Sequence, residues 1–296
     1  MNRLIRENME YHMTSSLGRD KSELSSRTLA SRHKRIVETA KPRVMIFSGY
    51  GLNTEDETKS AFEMVGATAD IVHINDIIAR PAMLDKAQIV VFPGGFSYGD
   101  DTGSGKAYAN RVKQHLGDAL QKFLARDTLA IGICNGFQII TSADILPGAL
   151  IANDSARYIC RWVDLEVSGN SPWLTGIKTL SIPIAHGEGK YYAPAETLAK
   201  LKSENAIALR YIKGETAGHF SLPANPNGSL ENIAGITGYN GRVLGLMPHP
   251  ERAVRFTQLP HWTYLKEQLT RDSKELPTEG SGLQIFRNAV KYFSQI

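Results

Sequence analysis

Short apolar runs alternate with amphipathic stretches from residue 43 onward. The apolar runs have the length of buried strands, and the stretches between them repeat apolar residues every three or four positions, as helices do. This pattern predicts strands at 44–47, 69–74, 89–92 and 129–133, and helices at 54–65, 107–124 and 136–145. Buried strands that alternate with helices indicate an α/β fold, an open and mostly parallel sheet with helices on both faces. Binding groups in such folds lie at the carboxyl ends of the strands.

The second half of the chain has a different pattern. Residues 159–167 alternate apolar and polar positions, which is typical of a half-buried strand. Further short strands, some of them antiparallel, are predicted at 179–184, 207–212, 233–237 and 243–246. Two amphipathic stretches at 262–269 and 283–293 predict closing helices.

The first 42 residues differ from the rest. They are poor in apolar clusters and rich in Ser and Arg, and the pattern changes abruptly near residue 42. We predict a basic N-terminal extension or docking arm over residues 1–42 and one folded domain over residues 43–296. A transit peptide is the competing interpretation, and five acidic residues weaken it.

Charge sharpens this division. The chain of 296 residues carries 34 Lys+Arg and 30 Asp+Glu, a net charge of +4. Residues 1–43 alone have a net charge of +5, and the remainder has −1. The basic segment lacks the interleaved aromatic residues of a stacking surface, so we expect no nucleic-acid partner.

Composition also limits the compartment. No run approaches the roughly 18 apolar residues of a membrane span, and the N-terminus lacks the apolar segment of a signal peptide. We therefore expect a cytoplasmic protein with no membrane partner. Only two cysteines occur, Cys134 and Cys160, which excludes a disulfide framework. Cys160 is predicted to be a packed core thiol, and no spacing of residues indicates a metal site.

The segment 129–138 carries the strongest chemical signal. An apolar strand runs into Gly-x-Cys-x-Gly and then a helix, the thiol counterpart of the nucleophile elbow. Flanking glycines permit a strained turn that presents Cys134, and the helix N-terminus favours its thiolate form. We interpret Cys134 as a nucleophile. A buried structural cysteine beside unrelated glycines is the alternative.

A thiolate needs a partner for proton transfer, and His249 is the best candidate. It follows the apolar strand 243–247 and lies between two prolines, which keep the chain extended. Because residues i and i+2 of an extended chain face the same way, Glu251 is predicted to lie beside His249 and to orient it. The alternative is a solvated His-Glu turn.

Acyl chemistry also requires donors for an oxyanion. The strand 89–92 ends in Pro-Gly-Gly, where bare backbone can approach a substrate at Gly94 and Gly95. The N–H groups of Gly95 and Asn135 are the predicted oxyanion hole. Taken alone, Pro-Gly-Gly is better interpreted as a tight turn.

Together these motifs resemble the class I glutamine amidotransferases, and this resemblance implies a flavodoxin-like form of the α/β fold. Longer strings are similar to the family of glutaminase subunits of phosphoribosylformylglycinamidine synthase, from purine biosynthesis: residues 93–100 (PGGFSYGD), 132–138 (GICNGFQ), 185–189 (AHGEG), 225–229 (NPNGS) and 245–252 (GLMPHPER). Asn135 and Phe137 distinguish this family, since related amidotransferases more often have Gly-His-Gln where this chain has Gly-Phe-Gln.

The resemblance implies further roles. Cys134 would attack the carboxamide of L-glutamine, and His249 would protonate the departing ammonia. Gln138 and Gly94 would contact the glutamine substrate, with Arg157 and Tyr158 as weaker candidates for the same pocket. His186 and Glu188 would line the pocket or contact the synthase, or serve a structural role.

The resemblance also implies cofactors and partners. This chain would use no cofactor itself, and ATP and Mg²⁺ would bind to a separate synthase subunit that receives the ammonia. A small accessory subunit is a further expected partner. Two alternatives remain open: a class I amidotransferase or γ-glutamyl hydrolase of another pathway, and a non-catalytic scaffold on the same fold.

Overall fold

The computed structural model describes residues 41–101 and 103–294, so the predicted arm lies outside the described residues apart from its last two positions. The strands are β1 (Arg43–Ser48), β2 (Thr68–His73), β3 (Ile89–Phe92), β4 (Leu129–Ile133), β5 (Ala149–Ile151), β6 (Ile159–Val167), β7 (Thr179–His186), β8 (Lys190–Tyr192), β9 (Ile207–Ile212), β10 (Ile233–Gly238) and β11 (Val243–Leu246). The helices are α1 (Glu55–Met64), α2 (Ile74–Ala79), α3 (Lys106–Ala125), α4 (Asn135–Ser142), α5 (Ala195–Ser203), α6 (Glu215–His219), α7 (Trp262–Arg271) and α8 (Leu283–Ser294).

Nine of these strands form one sheet in the order β2-β1-β3-β4-β11-β10-β9-β6-β7. The first five are mutually parallel, and β10, β9, β6 and β7 continue the sheet with antiparallel pairings. β3 and β4 are buried along their whole length, which explains why both are continuous apolar runs. The predicted α/β class is confirmed.

The connections between the parallel strands create a crevice at the top of the sheet. From the adjacent strands β1 and β3, the chain leaves through α1 to β2 in one direction and through α3 to β4 in the other. Right-handed crossovers then place α1 and α3 on opposite faces. α1 packs on α8 through an edge-to-face contact of Phe62 and Phe286, with ring centroids 4.9 Å apart. The carboxyl ends of the strands at this reversal are the expected ligand site.

One packing prediction is wrong. Cys160 is exposed, although we expected it in the core. Side chains alternate along β6, and Val163 and Leu165 occupy the face that packs into the core. Cys160 differs from both by an odd number of positions, so its side chain lies on the opposite face.

No helix in the residues that the structure describes has the length and apolar character needed to cross a membrane.

Candidate active site

Three adjacent parallel strands carry the predicted site. β3, β4 and β11 are neighbours in the sheet, so their carboxyl ends meet at one edge. Gly94 and Gly95 follow β3, Cys134 follows β4, and His249 lies three residues beyond β11. Segments far apart in sequence are therefore brought to one place by the order of the strands.

Cys134 occupies the sharp turn between β4 and α4. Its backbone has φ 52° and ψ −108°, a conformation that a non-glycine residue rarely adopts. The neighbouring glycines permit the turn: a Cβ on Gly132 would lie 2.7 Å from the carbonyl oxygen of Gly136, and a Cβ on Gly136 would lie 1.8 Å from that of Phe92. The Gly-x-Cys-x-Gly motif thus reflects close contact between β4, α4 and β3.

The thiol of Cys134 is buried at the N-terminus of α4. The residue is 5% exposed, and its Sγ lies 3.6 Å from the carbonyl oxygen of Ala185 in β7. Its backbone N–H donates to Leu246 O at 2.8 Å, which ties the turn to β11. The first turn of a helix has unpaired N–H groups and a positive dipole end, so this position stabilises a negative sulfur.

His249 and Glu251 form a buried pair, as predicted, but the chain between them is not extended as expected, because Pro250–Arg252 forms a 3-10 helical turn. His249 Nδ1 lies 2.5 Å from Glu251 Oε1, and the residues are 2% and 1% exposed. Because the carboxylate accepts the Nδ1 proton, Nε2 is the nitrogen left for chemistry. Within the described residues Nε2 has no hydrogen-bond partner of ordinary geometry, although the Cys134 sulfur is close enough to affect the pKa of the ring.

The surroundings of His249 decide its charge. Burial by itself lowers the pKa of His249, but the negative charges of Glu251 and of the Cys134 sulfur outweigh burial and raise this pKa well above its ordinary value. His249 therefore holds a proton beside the sulfur. A buried imidazolium next to a nucleophile can pass its proton to a leaving group.

The backbone N–H of Gly95 is not used in the contact with the loop after β1. Gly95 pairs with Leu52 in an isolated antiparallel bridge. The hydrogen bonds that flank this bridge run from Asn53 N–H to Gly94 O and from Phe96 N–H to Gly51 O. Gly95 is therefore in a non-hydrogen-bonded pair, and its N–H points away from the segment around Leu52.

Asn135 supplies a second backbone N–H. It is the first residue of α4, and two later N–H groups of this turn, those of Phe137 and Gln138, donate to Cys134 O. The first N–H groups of a helix have no partner inside the helix. The role of the Gly95 and Asn135 N–H groups as donors to a tetrahedral oxyanion stays a prediction.

Gly94 brings bare backbone against the histidine. A Cβ at this position would lie 2.8 Å from Cε1 of His249. The Gly94 N–H donates to the Oγ1 of Thr54 at 2.8 Å, and its carbonyl oxygen accepts from Asn53 and Thr54. The N–H and the carbonyl oxygen of Gly94 both make hydrogen bonds within the protein. The role that the structure shows for this glycine is to leave room for the imidazole of His249. Its contact with substrate stays a prediction.

The side chain of Gln138 is also engaged within the protein. Its Oε1 accepts from Asn135 Nδ2 at 2.7 Å, and its Nε2 donates to Glu188 O at 2.6 Å. The Asn135 Oδ1 in turn accepts from Ser97 N–H at 3.1 Å. These bonds fasten the loop after β3 and the turn after β7 to the cysteine elbow. Gln138 would have to exchange a partner to bind glutamine, and that role stays a prediction.

Tyr158 lies near the nucleophile, and the neighbouring Arg157 is exposed. Tyr158 is 52% exposed, and its ring centroid lies 6.0 Å from that of Phe96. Burial raises the pKa of Tyr158, and the charge at Cys134 adds to this shift. Arg157 is exposed and contributes its carbonyl oxygen, which accepts from Asn153 Nδ2. A substrate role for either residue stays a prediction.

Sequence reasoning missed two residues that build the site. Thr54 is fully buried and holds Gly94, and Asn153 is 2% exposed and holds the strand end that contains His186. Neither position carries a local signal, because a single Thr or Asn in a loop is common. Only the contacts made in the folded chain single them out.

Within residues 41–101 and 103–294, no group of three or more His, Cys, Asp or Glu side chains is arranged to hold a metal ion.

Comparisons with known proteins identify the class. The sequence model of the CobB/CobQ-like glutamine amidotransferase domain matches residues 41–293. The chain is 44% identical over 268 residues to the phosphoribosylformylglycinamidine synthase subunit PurQ of Methanococcus maripaludis, covering 86% of this chain and 99% of that protein. The PurQ of Dehalococcoides mccartyi is 41% identical, with 87% and 100% covered.

A solved structure agrees with these relatives. A chain in the PurLQS structure from Thermotoga maritima superposes with a TM-score of 0.64 and 31% identity, covering 85% of this chain and 99% of that chain. The fold and the Cys-His-Glu site define a glutamine amidotransferase. The chain belongs to this family and, within it, to the PurQ subunits of phosphoribosylformylglycinamidine synthase.

Proposed function

We propose that this chain is the glutaminase subunit of phosphoribosylformylglycinamidine synthase. It hydrolyses glutamine through a cysteine thioester and supplies ammonia to a separate synthase subunit, which converts formylglycinamide ribonucleotide into formylglycinamidine ribonucleotide. The observation that carries this proposal is the buried grouping of Cys134, His249 and Glu251 in a chain 44% identical to a PurQ subunit.

The geometry supports a two-step mechanism. The Cys134 sulfur attacks the carboxamide carbon of glutamine, and the N–H groups of Gly95 and Asn135 hold the oxyanion. His249 gives its proton to the departing nitrogen, which leaves as ammonia and a γ-glutamyl thioester remains. His249 then takes a proton from water, whose oxygen displaces the sulfur and releases glutamate. Glu251 keeps the proton-transfer nitrogen of His249 directed at the sulfur.

The amide oxygen of formylglycinamide ribonucleotide is a poor leaving group, so amidine formation requires its activation. We assign ATP and Mg²⁺ to the synthase subunit and no cofactor to this chain. The PurLQS structure of the Thermotoga relative supports a synthase partner, and we extend the proposal to a small accessory subunit. We also place the complex in the cytoplasm.

The test uses the complex of this chain with its synthase partner. We expect Cys134→Ala to lower glutamine-dependent amidine formation by about 10³-fold or more, since the thioester cannot form. Synthesis from ammonium chloride should persist, because it bypasses this subunit. The matched control is Cys160→Ala, which removes the exposed cysteine and should leave both activities unchanged. Glutamine hydrolysis by the Cys134→Ala complex would disprove the assignment of the nucleophile.

The pathway is tested separately from the chemistry. A pull-down with the full chain from host lysate should recover a synthase that uses ATP and formylglycinamide ribonucleotide. Recovery of a different ATP-dependent synthase would contradict the purine assignment while leaving the thioester mechanism intact.

A further inference from the structure

A cavity of about 270 Å³ lies between the first two strands of the sheet and the segment that leads from α2 to β3. Its lining includes Arg43, the first residue of β1, and Ala87, which lies two positions before β3 begins. The cavity is therefore near the amino ends of these strands. The catalytic groups follow the carboxyl ends of β3, β4 and β11, so this cavity is separate from the glutaminase site.

The segment between α2 and β3 contributes one of its faces to the cavity. Pro81–Lys86 is a 3-10 helix, in which side chains three positions apart lie above one another. Arg80, Met83 and Lys86 have this spacing, and all three line the cavity. Leu84 belongs to the next face, is 1% exposed and packs in the core. The short helix thus presents a methionine between two cations to the cavity.

The sheet supplies the opposite wall, which is largely apolar. Met45 of β1 is paired with Asp70 of β2, and Val72 lies two positions further along β2 on the same face. Met45, Val72 and Met83 all line the cavity. Protein interiors are normally close-packed, and the flexible thioether chains of two methionines can adapt to an apolar ligand. The cavity therefore has the walls of a site for an apolar chain.

The charge of the lining residues is positive. Arg43, Arg80 and Lys86 contribute three positive charges and Asp70 one negative charge, so the net charge is +2. Arg43 Nη2 lies 3.8 Å from Asp70 Oδ2, an ion pair that offsets one of the three cations. The charges of Arg80 and Lys86 remain at the two ends of the short helix. A concave site with cations of one sign attracts anions.

The volume limits the size of the ligand. Sites for drug-sized molecules have volumes of roughly 300–1,000 Å³. This cavity, at about 270 Å³, lies just below that range. A nucleotide is therefore too large, whereas a short apolar chain with one anionic group has a suitable size.

We propose that this cavity binds a small carboxylate with an apolar chain. The chain contacts Met45, Val72 and Met83, and the carboxylate lies between Arg80 and Lys86. The planar guanidinium of an arginine matches the two oxygens of a carboxylate, and the lysine adds a second positive charge. This inference is independent of the proposed glutaminase function.

Titration calorimetry with the full chain tests the proposal with four probes. Octanoate combines the anion and the chain, acetate lacks the chain, octan-1-ol lacks the charge and octylammonium reverses it. Octanoate should bind at one site, and the other three about tenfold or more weakly, because each loses apolar burial or a charge-assisted contact. Octylammonium or acetate that binds as tightly as octanoate would overturn the inference. So would an absence of octanoate binding below the concentration at which it forms micelles.

Variants test whether binding occurs at this cavity. Arg80→Gln combined with Lys86→Gln removes two exposed cations and should weaken octanoate binding by about tenfold or more. The matched control is Lys122→Gln combined with Lys266→Gln, which removes two exposed lysines outside the cavity and should leave the affinity unchanged. Equal affinities of the two double variants would overturn the inference. Met83→Trp fills the cavity and should abolish binding, and an unchanged affinity in a Met83→Trp chain that melts like the wild type would also overturn it.

Discussion

At the scale of single residues, the proton on His249 depends on the negative charges beside it. Glu251 is buried beside His249, and its carboxylate is the main reason that the imidazole keeps a proton despite burial. The Cys134 sulfur acts in the same direction. These two neighbours therefore keep the imidazole protonated in a site from which water is largely excluded.

Replacing Glu251 by Gln tests this coupling. The amide keeps the shape of the carboxylate but lacks its charge, so the pKa of His249 falls. In the wild type the imidazolium is present below its raised pKa and is lost as pH rises through it. In Glu251→Gln the loss begins at lower pH, and the alkaline limb of the kcat/KM profile shifts in that direction. We also expect kcat to fall by about 10²–10⁴-fold.

A second histidine and glutamate provide the comparison for this variant. His261 Nε2 lies 3.9 Å from Glu215 Oε1, at a surface outside the site. Glu215→Gln should leave the pH profile of glutamine hydrolysis unchanged. An unshifted alkaline limb in Glu251→Gln would mean that another group controls the proton on His249.

At the scale of elements, the cysteine elbow is a packing arrangement of β3, β4 and α4. Gly132 and Gly136 let the strand and the helix approach until their backbones touch, and Phe92 fills the other side of Gly136. The strained backbone of Cys134 is maintained by these contacts. Reactivity and packing are therefore coupled, because the same turn that positions the sulfur also orients Asn135 N–H.

Gly136→Ala should damage both properties. The new Cβ would lie 1.8 Å from Phe92 O, so α4 or β3 must shift. We expect a loss of about 1–3 kcal/mol in the free energy of unfolding, a lower melting temperature, and a larger loss of glutamine hydrolysis.

Gly117→Ala is the matched substitution in a helix interior. A Cβ at Gly117 in α3 meets nothing within 4 Å, so this variant should be as stable as the wild type or more stable, by up to about 1 kcal/mol. If Gly136→Ala were equally stable and active, the close contact would have no role in shaping the elbow.

At the scale of the whole molecule, the edge strand β7 contacts catalytic residues that belong to the parallel half of the sheet. β7 lies five places from β4 in the sheet order, yet its carbonyl oxygens contact His249 and Cys134. The antiparallel half of the sheet therefore completes the active site. The described body carries almost no net charge, and the positive excess belongs to the N-terminal segment.

We expect this basic segment to contact an acidic face of the synthase. Deleting residues 1–42 should weaken the affinity of the complex at low salt, where charge interactions are least screened, and should have a smaller effect at high salt. Neutralising Arg32, Lys34 and Arg35 with Gln should reproduce part of the effect. Affinity is measured by titrating the synthase subunit into each variant. If the deletion leaves the affinity unchanged at low salt, the segment is a passive extension.

Much of the site was predictable because its signals are local. The Gly-x-Cys-x-Gly motif predicts a backbone turn as well as a chemistry, and the Pro-His-Pro-Glu motif keeps a histidine and a glutamate close together. The structure places both motifs at the carboxyl ends of adjacent strands. Cys160 was misplaced for the opposite reason. Alternation along a strand defines two faces, but the sequence of that strand does not state which face meets the core.

By itself the sequence determined the α/β class, the nucleophile, its histidine and glutamate, and the charge difference between arm and body, because each depends on neighbouring residues or on composition. Only the tertiary structure decided what surrounds them. Three contacts illustrate this: Cys134 with Ala185 in β7, Asn153 with His186, and Gln138 with Glu188. Each joins segments that are 33 or more residues apart in the sequence. Such contacts arise from the order in which strands pair, and no local pattern of side chains records that order.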